Sequence, residues 1–373
     1  MTSSISQTTQ TTETALLSAA DEMAAIEQLH ALRCTDGLPV IVPTRDRVNR
    51  LILATGLDGD MVLGKMGPGG GIATVEKVAV AAVMAGCLPD HMPVVIAAVN
   101  AVIDPAFDLT EMQSTTHCTA PLIIVNGPAR QACGGISGGF GALGPGHRAN
   151  ASIGRALRLA MINIGGARPG ESDMALLGHP GKFTYCLAED EESSPFPPLH
   201  TSLGYLPEDS AVTVIGAEAP HSVLYSPTGD VAQDAQRLSK VLAVGLSNVA
   251  TNNAILRYGA AVVVLNPEHA EVYQKANLTR EMVQKALFGL CFHRPEDLKA
   301  IGGGFAPKGD DKGPIHSFRS HEDILVLVAG GTGLYSMVMP TWCAGPHVNR
   351  FVSRKIELDI YCEVTFPATS AAV

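Results

Sequence analysis

The sequence predicts an α/β protein: a mainly parallel sheet with flanking helices, arranged as two α/β lobes with a cleft between them. Three observations carry this. Leu122-Ile123-Ile124-Val125 is an uninterrupted apolar run closed by the turn residues Asn126-Gly127-Pro128, the pattern of a central strand buried on both faces. Segments 211–216, 234–249, 260–265, 280–291 and 323–328 alternate as strand, helix, strand, helix, strand, which suits right-handed crossovers between parallel strands. Glycine-dense stretches at 64–77 and 134–146 each run straight into a helix-forming segment, a device that offers backbone N–H groups to an anion.

Taken in order, residues 1–18 are polar, rich in Ser and Thr, and lack the apolar core of a secretion signal, so they read as a weakly ordered leader. Composition turns helical over 19–32, Asp36-Gly37 breaks the chain, and 39–42 reads as a strand or extended segment. Thr44 can cap a helix over 45–55 that turns Val48, Leu51 and Ile52 inward. Thr74 can cap the helix that follows the first glycine stretch; its run over 75–86 is apolar nearly all round and predicts burial. Pro89 and Pro93 separate it from another apolar helix over 94–103. The second glycine stretch feeds a helix over 151–164 opened by His147, Arg148, Ala149 and Asn150. A strand over 183–188 then runs into Glu189-Asp190-Glu191-Glu192 and a proline-rich segment. Prolines and acids around Gly204 set an expected boundary, with one lobe over 19–204 and a second over 205–373.

Composition narrows the function classes. A net charge of −10, with no basic run, argues against a nucleic-acid partner. The longest apolar runs fall well short of the roughly 18 to 20 residues that span a bilayer. Hydrophobic residues make up 46% against 17% charged, so much apolar surface needs cover and a homo-oligomer is expected. Eight cysteines, at 34, 87, 118, 133, 186, 291, 343 and 362, form no CxxC pair, consistent with reduced thiols in a cytoplasmic protein.

The candidate site residues follow from these placements. Gly69, Gly70, Gly71 and Thr74 would present the N-terminal dipole of a helix to an anion, with Lys77 within reach; no Gly-Lys-Ser/Thr follows and the Rossmann spacing is absent, which disfavours a nucleotide. His117, in a polar loop opening onto the 122–125 strand, suits a general base or a metal ligand, and Cys118 a nucleophile. Arg148 offers a planar fork for a carboxylate, and Asn150 can orient a substrate oxygen or cap its helix. Four adjacent carboxylates cannot all be buried, so most of the 189–192 cluster should be solvated, with Glu189 or Glu192 left as acid, base or metal ligand. Thr332 and Ser336 lie in a glycine turn after a strand, an anion nest. No HxH or HExxH spacing is present, which leaves a divalent metal open and no cofactor assigned. Each residue also has a structural role open to it: a satisfied histidine, a cap, a solvated charge.

The blocks DGLPVIVPT, ATVEKVAVAAVMAGC, NGPARQACGGISGGFGALGPGHRANASIGRALRLAMINIGGARPGESDMA and GKFTYCLAEDEESSPFPPLH resemble a family of bacterial proteins. Its members are similar to the partners or fused segments of small thiol or selenol proteins bearing a UGSC or CGSC motif. The resemblance covers most of the chain from Asp36 to about Gly345 and transfers no reaction and no catalytic residue. Here the nearest segment to CGSC is Ala132-Cys133-Gly134-Gly135, so the resemblance implies that any thiol chemistry comes from a separate partner. The residues themselves point to an enzyme acting on a small carboxylate-bearing molecule by acid/base chemistry, of lyase or hydrolase type. A substrate-presenting subunit and a small-molecule binding protein are the alternatives. Both glycine stretches are expected to line one cleft.

Overall fold

The structure is a computed structural model that describes residues 11–257, 259–301, 313–342 and 350–358. Residues 1–10 of the expected leader, and Cys343 and Cys362, lie outside them.

Helix α1 (Glu22–Ala31) starts where Asp21 accepts a hydrogen bond from the Ala24 N–H, and α2 (Arg45–Leu53) where Thr44 accepts from Arg47. The first glycine stretch is a hairpin of β1 (Val62–Met66) and β2 (Gly71–Thr74) that leads into α3 (Val75–Ala85). Next come α4 (Met92–Val102), α5 (Leu109–Ser114), β3 (Ala120–Asn126), α6 (Ala129–Ala132) and the long α7 (Arg148–Asn163). After β4 (Cys186–Ala188) and the single turn α8 (Leu199–Ser202) the chain forms β5 (Ala211–Ala217), β6 (His221–Leu224), α9 (Val231–Leu246) and α10 (Asn252–Leu256). It continues with β7 (Ala261–Leu265), α11 (Pro267–Lys275), α12 (Arg280–Leu290), β8 (Phe292–His293) and α13 (Pro295–Ile301). The last described elements are β9 (Ile315–His316), β10 (Ile324–Val328), β11 (Tyr335–Pro340) and β12 (Val352–Lys355).

Two four-stranded sheets result, in the orders β12-β5-β3-β4 and β10-β7-β11-β6. Both are mixed, which corrects the mainly parallel expectation. Parallel pairing is confined to β3 with β4 and β7 with β10, the pairs joined through helices long enough to carry the chain back across the sheet. Between β4 and β5 there is only the single turn α8, so β5 returns antiparallel to β3. The 330–336 turn likewise reverses the chain into β11, which pairs antiparallel with both β7 and β6.

Leu122, Ile124 and Ile215 of the first sheet share one apolar cluster with Val262, Val264, Leu325 and Leu327 of the second, so the sheets pack face to face. On its other face the first sheet turns Ile123, Val125, Val212 and Val214 toward α3, α4 and α7. The second turns Val263, Leu265, Val326 and Val328 toward α9, α11 and α12. The order of layers is helix, sheet, sheet, helix. The sequence boundary at 204/205 does not coincide with the division between sheets, because the first sheet takes β5 and β12 from beyond it. At one corner the sheets are stitched: Ala217 bridges to Thr341, Trp342 donates to the Gly216 carbonyl at 3.1 Å, and Glu218 donates to that of Pro340 at 3.0 Å. Among the described residues no single helix is long and apolar enough to cross a membrane.

The β1–β2 turn is held against the end of α7. Gly69 donates to the Gly165 carbonyl at 2.7 Å, and a Cβ on Gly165 would lie 2.2 Å from the Gly67 carbonyl oxygen. Backbone on backbone cannot yield as a flexible side chain does. Gly165→Ala is therefore expected to destabilise the protein by about 1–3 kcal/mol or more, read as a lower urea midpoint; an unchanged midpoint would show that the turn is not fixed there.

Candidate functional site

The two glycine stretches do not share a hollow. The β1–β2 turn meets Gly165 beyond the C-terminus of α7, whereas the 134–146 stretch packs at its N-terminus, about 24 Å away along a helix of this length. Nor is the start of α3 a vacant anion site. Val75 donates to the Met61 carbonyl at 3.1 Å, Glu76 to that of Gly59 at 2.8 Å and Lys77 to the Thr74 hydroxyl at 3.3 Å. Thr74 is the predicted cap, and the donors of the first turn go to it, Gly59 and Met61, while Gly69, Gly70 and Gly71 belong to the hairpin that precedes α3. The Lys77 ammonium reaches back to the Ile72 carbonyl at 3.1 Å.

Arg148 and Asn150 are likewise committed to structure. The Arg148 fork donates through Nε and Nη2, at 3.2 and 3.0 Å, to the carbonyl of Gly86, the left-handed cap of α3. Asn150 accepts from the Ser137 N–H at 2.8 Å and donates to the Ser137 and Ala142 carbonyls at 2.9 and 3.0 Å, which pins the second glycine stretch. Thr332 is exposed. Ser336 is buried on β11, where its Oγ lies 2.6 Å from His269 Nδ1 and accepts from the Asn266 N–H at 3.2 Å.

The acid cluster at the carboxyl end of β4 holds the sheets together. Glu189, expected among the available carboxylates, is fully buried. Its Oε1 meets Arg280 Nη2 at 2.8 Å, and its Oε2 accepts from Asn126 Nδ2 and the Leu199 N–H, both at 2.6 Å. Burial disfavours charge on both partners, raising the Glu189 carboxyl and lowering the Arg280 guanidinium; their attraction, with the two neutral donors, opposes this. Removing one member of such a pair typically costs about 3–5 kcal/mol. Glu191 accepts from the Gly127 N–H at 2.7 Å and pairs with Arg130 at 2.9 Å, so it too departs from the solvated expectation. Glu192 is exposed and takes a two-pronged contact from Arg130 at 2.8 and 2.9 Å. The second glycine stretch does reach this cluster: Gly138 packs against the Ala188–Asp190 backbone, and its carbonyl accepts from Gly330 at 2.7 Å.

His117 lies at the other end of β3, about 20 Å from Glu189 along a strand of seven residues. The two do not meet. Instead His117 Nε2 is 2.9 Å from Glu218 Oε1, at the stitched corner after β5, and its Nδ1 is shielded from solvent without a hydrogen-bond partner. The Tyr185 hydroxyl donates to the Glu218 carbonyl at 2.8 Å, and the His179 ring packs edge-on against Tyr185 with centroids 5.6 Å apart. Beyond His179, Lys182 donates to Asp173 at 3.0 Å and to the Thr119 carbonyl at 3.4 Å. Buried Arg158 of α7 donates to Asp173 at 2.7 Å and to Gln113 Oε1 at 3.0 Å, while Gln113 Nε2 is left unpartnered. Cys118 is half-buried between His117 and Thr119.

Asp173 and His179 lie in the connection 165–181, and nothing in the spacing of that connection ties it to His117. Glu218 carries no local signal; only the pairing of β5 with β3 delivers it. Among the described residues, no group of three or more His, Cys, Asp or Glu side chains could hold one metal ion. Arg158 and Lys182 both pair with Asp173, and Lys182 also reaches the Thr119 carbonyl, two residues from His117. No family model matches the chain, and no curated protein matches it.

Burial by itself would raise the Asp173 carboxyl, but Arg158 and Lys182 outweigh it and hold the group below the usual carboxylate range. A depressed folded-state value gives stability that is complete above the unfolded value of about 4 and lost as pH falls through the folded one. Asp173→Asn should lower Tm at neutral pH and flatten its fall below about pH 4. An unchanged Tm–pH curve would show that the pairing adds nothing to folding.

Proposed function

We propose that the protein is an enzyme acting on a small carboxylate-bearing molecule by acid/base chemistry of lyase or hydrolase type, with His117 moving the proton. The observation that carries this reading is the state of the His117 ring: one nitrogen on a carboxylate, the other bare. A carboxylate behind an imidazole orients it and stabilises the imidazolium formed when the bare nitrogen takes a proton. Lys182 would hold a substrate carboxylate, since its ammonium retains donor capacity beyond its two protein contacts. Glu189 and Glu192 have no part in this reaction, since both are held in ion pairs at the far end of β3.

The test is a screen of small mono- and dicarboxylates with the purified chain, followed by His117→Asn. Loss of a positioned acid/base group should lower kcat/KM by about 10²- to 10⁴-fold. Turnover undiminished in His117→Asn would end this assignment. Turnover that appears only on adding a CGSC-bearing protein would favour the substrate-presenting alternative.

A partner copy over this face is favoured by the loop that borders it, where Leu176 and Leu177 are 80% and 97% exposed and Met174 and Phe183 are also uncovered. Sedimentation should give a mass above one chain, falling toward one chain in the double variant Leu176→Asp, Leu177→Asp. A wild-type protein that sediments as a single chain would refute it.

A further inference from the structure

Two imidazoles flank the Ala217–Glu218 corner, and their partners favour the same Nε2–H tautomer in each while leaving different nitrogens unpartnered, Nδ1 in His117 and Nε2 in His179. A carboxylate oxygen accepts from His117 Nε2–H, which leaves the lone pair of the neutral ring on Nδ1. His179 Nδ1 accepts the Gly181 N–H at 3.1 Å, so its hydrogen is on Nε2. That Nε2 is also shielded from solvent and without a hydrogen-bond partner, although the Ala217 carbonyl lies close enough to favour a proton there. Burial first, then the Lys182 ammonium, lowers the His179 imidazole to about 4, so the ring is neutral at physiological pH. Its orientation is fixed by Tyr185 and by Gly181, where a Cβ would lie 2.6 Å from its Cε1.

One ring therefore offers a base and the other a neutral N–H donor. We propose that His117 and His179 form an enolising pair acting on a 2-oxo acid, with the substrate carboxylate drawn to Lys182. This rests on the acid/base reading above and names its substrate class. His117 Nδ1 takes the proton from the carbon next to the ketone. The C–H electron pair becomes the new C=C bond, and the carbonyl π pair moves onto oxygen. The resulting enolate oxygen accepts the hydrogen bond of His179 Nε2–H, and the step needs no oxidant or reductant. A neutral imidazole suits the second task, because it polarises a carbonyl without first losing a proton.

The experiment is deuterium exchange at C3 of 2-oxobutanoate in D₂O, followed by proton NMR, with ligand-induced Tm shift as the binding readout. Wild type should exchange C3 above the buffer rate. His117→Asn should return exchange to the buffer rate, and His179→Phe should slow it by about 10²- to 10³-fold. His179→Gln, which keeps an N–H donor, should lose less than His179→Phe. Independently of any variant's folding, imidazole ¹⁵N shifts of the wild type at pH 7 should show hydrogen on Nε2 of both rings. Exchange as fast in His179→Phe as in wild type, or hydrogen on Nδ1 of His179, overturns the pair. Binding of 2-oxobutanoate without exchange overturns the substrate class and leaves the acid/base reading standing. Failure of every small carboxylate to bind or turn over removes that reading as well.

Discussion

Each sheet is covered on both faces, and that constraint governs where chemistry can occur in this protein. Along β3, Leu122 and Ile124 face the second sheet while Ile123 and Val125 face the helices, so no position in mid-strand can carry an uncompensated polar group. Each such side chain contributes about 1.5–3 kcal/mol by leaving water. Polar residues are displaced to the strand ends, and both ends of β3 carry a charged network.

The two networks are in different states. At the carboxyl end, both oxygens of Glu189 are occupied, Asn126 Oδ1 alone among its partners' side-chain atoms lacks a hydrogen bond, and Asp190 donates its N–H to the Val328 carbonyl of the second sheet at 2.8 Å. A carboxylate so enclosed is closed to solvent, and its value lies in joining the sheets. At the amino end, charge is arranged without being used up. His117 and His179 each keep one nitrogen uncommitted in a space closed to solvent, where an unmade hydrogen bond costs about 1–3 kcal/mol.

Much of the fold was legible from local chemistry. Caps at Thr44 and Thr74, the buried helix after Thr74 and the strands at 120–126, 211–217, 261–265 and 324–328 all follow from side-chain type and period. Strand direction was not, because the parallel expectation rests on a crossover helix and the one-turn α8 is too short to be one. A glycine stretch does not by itself mark an anion site. At Gly138 and Gly165 its smallness serves close backbone packing, a use that sequence cannot separate from ligand approach. His117 was identifiable from its polar loop at a strand entrance, while Glu218 lies 101 residues away and enters only through strand pairing. Glu189 misled for the opposite reason: four acids in a row imply solvation unless one knows that Arg130 and Arg280 converge on them.

The corner at Ala217 gives this arrangement a mechanical side. Glu218 hangs from the point where the end of β11 crosses onto β5, its N–H fastened to Pro340 and its carboxylate to His117. Sliding one sheet over the other would drag this residue directly, whereas helices on the outer layers can shift without touching it. The placement of the carboxylate behind His117 is thus set by how the two sheets are registered against each other at Ala217 and Pro340.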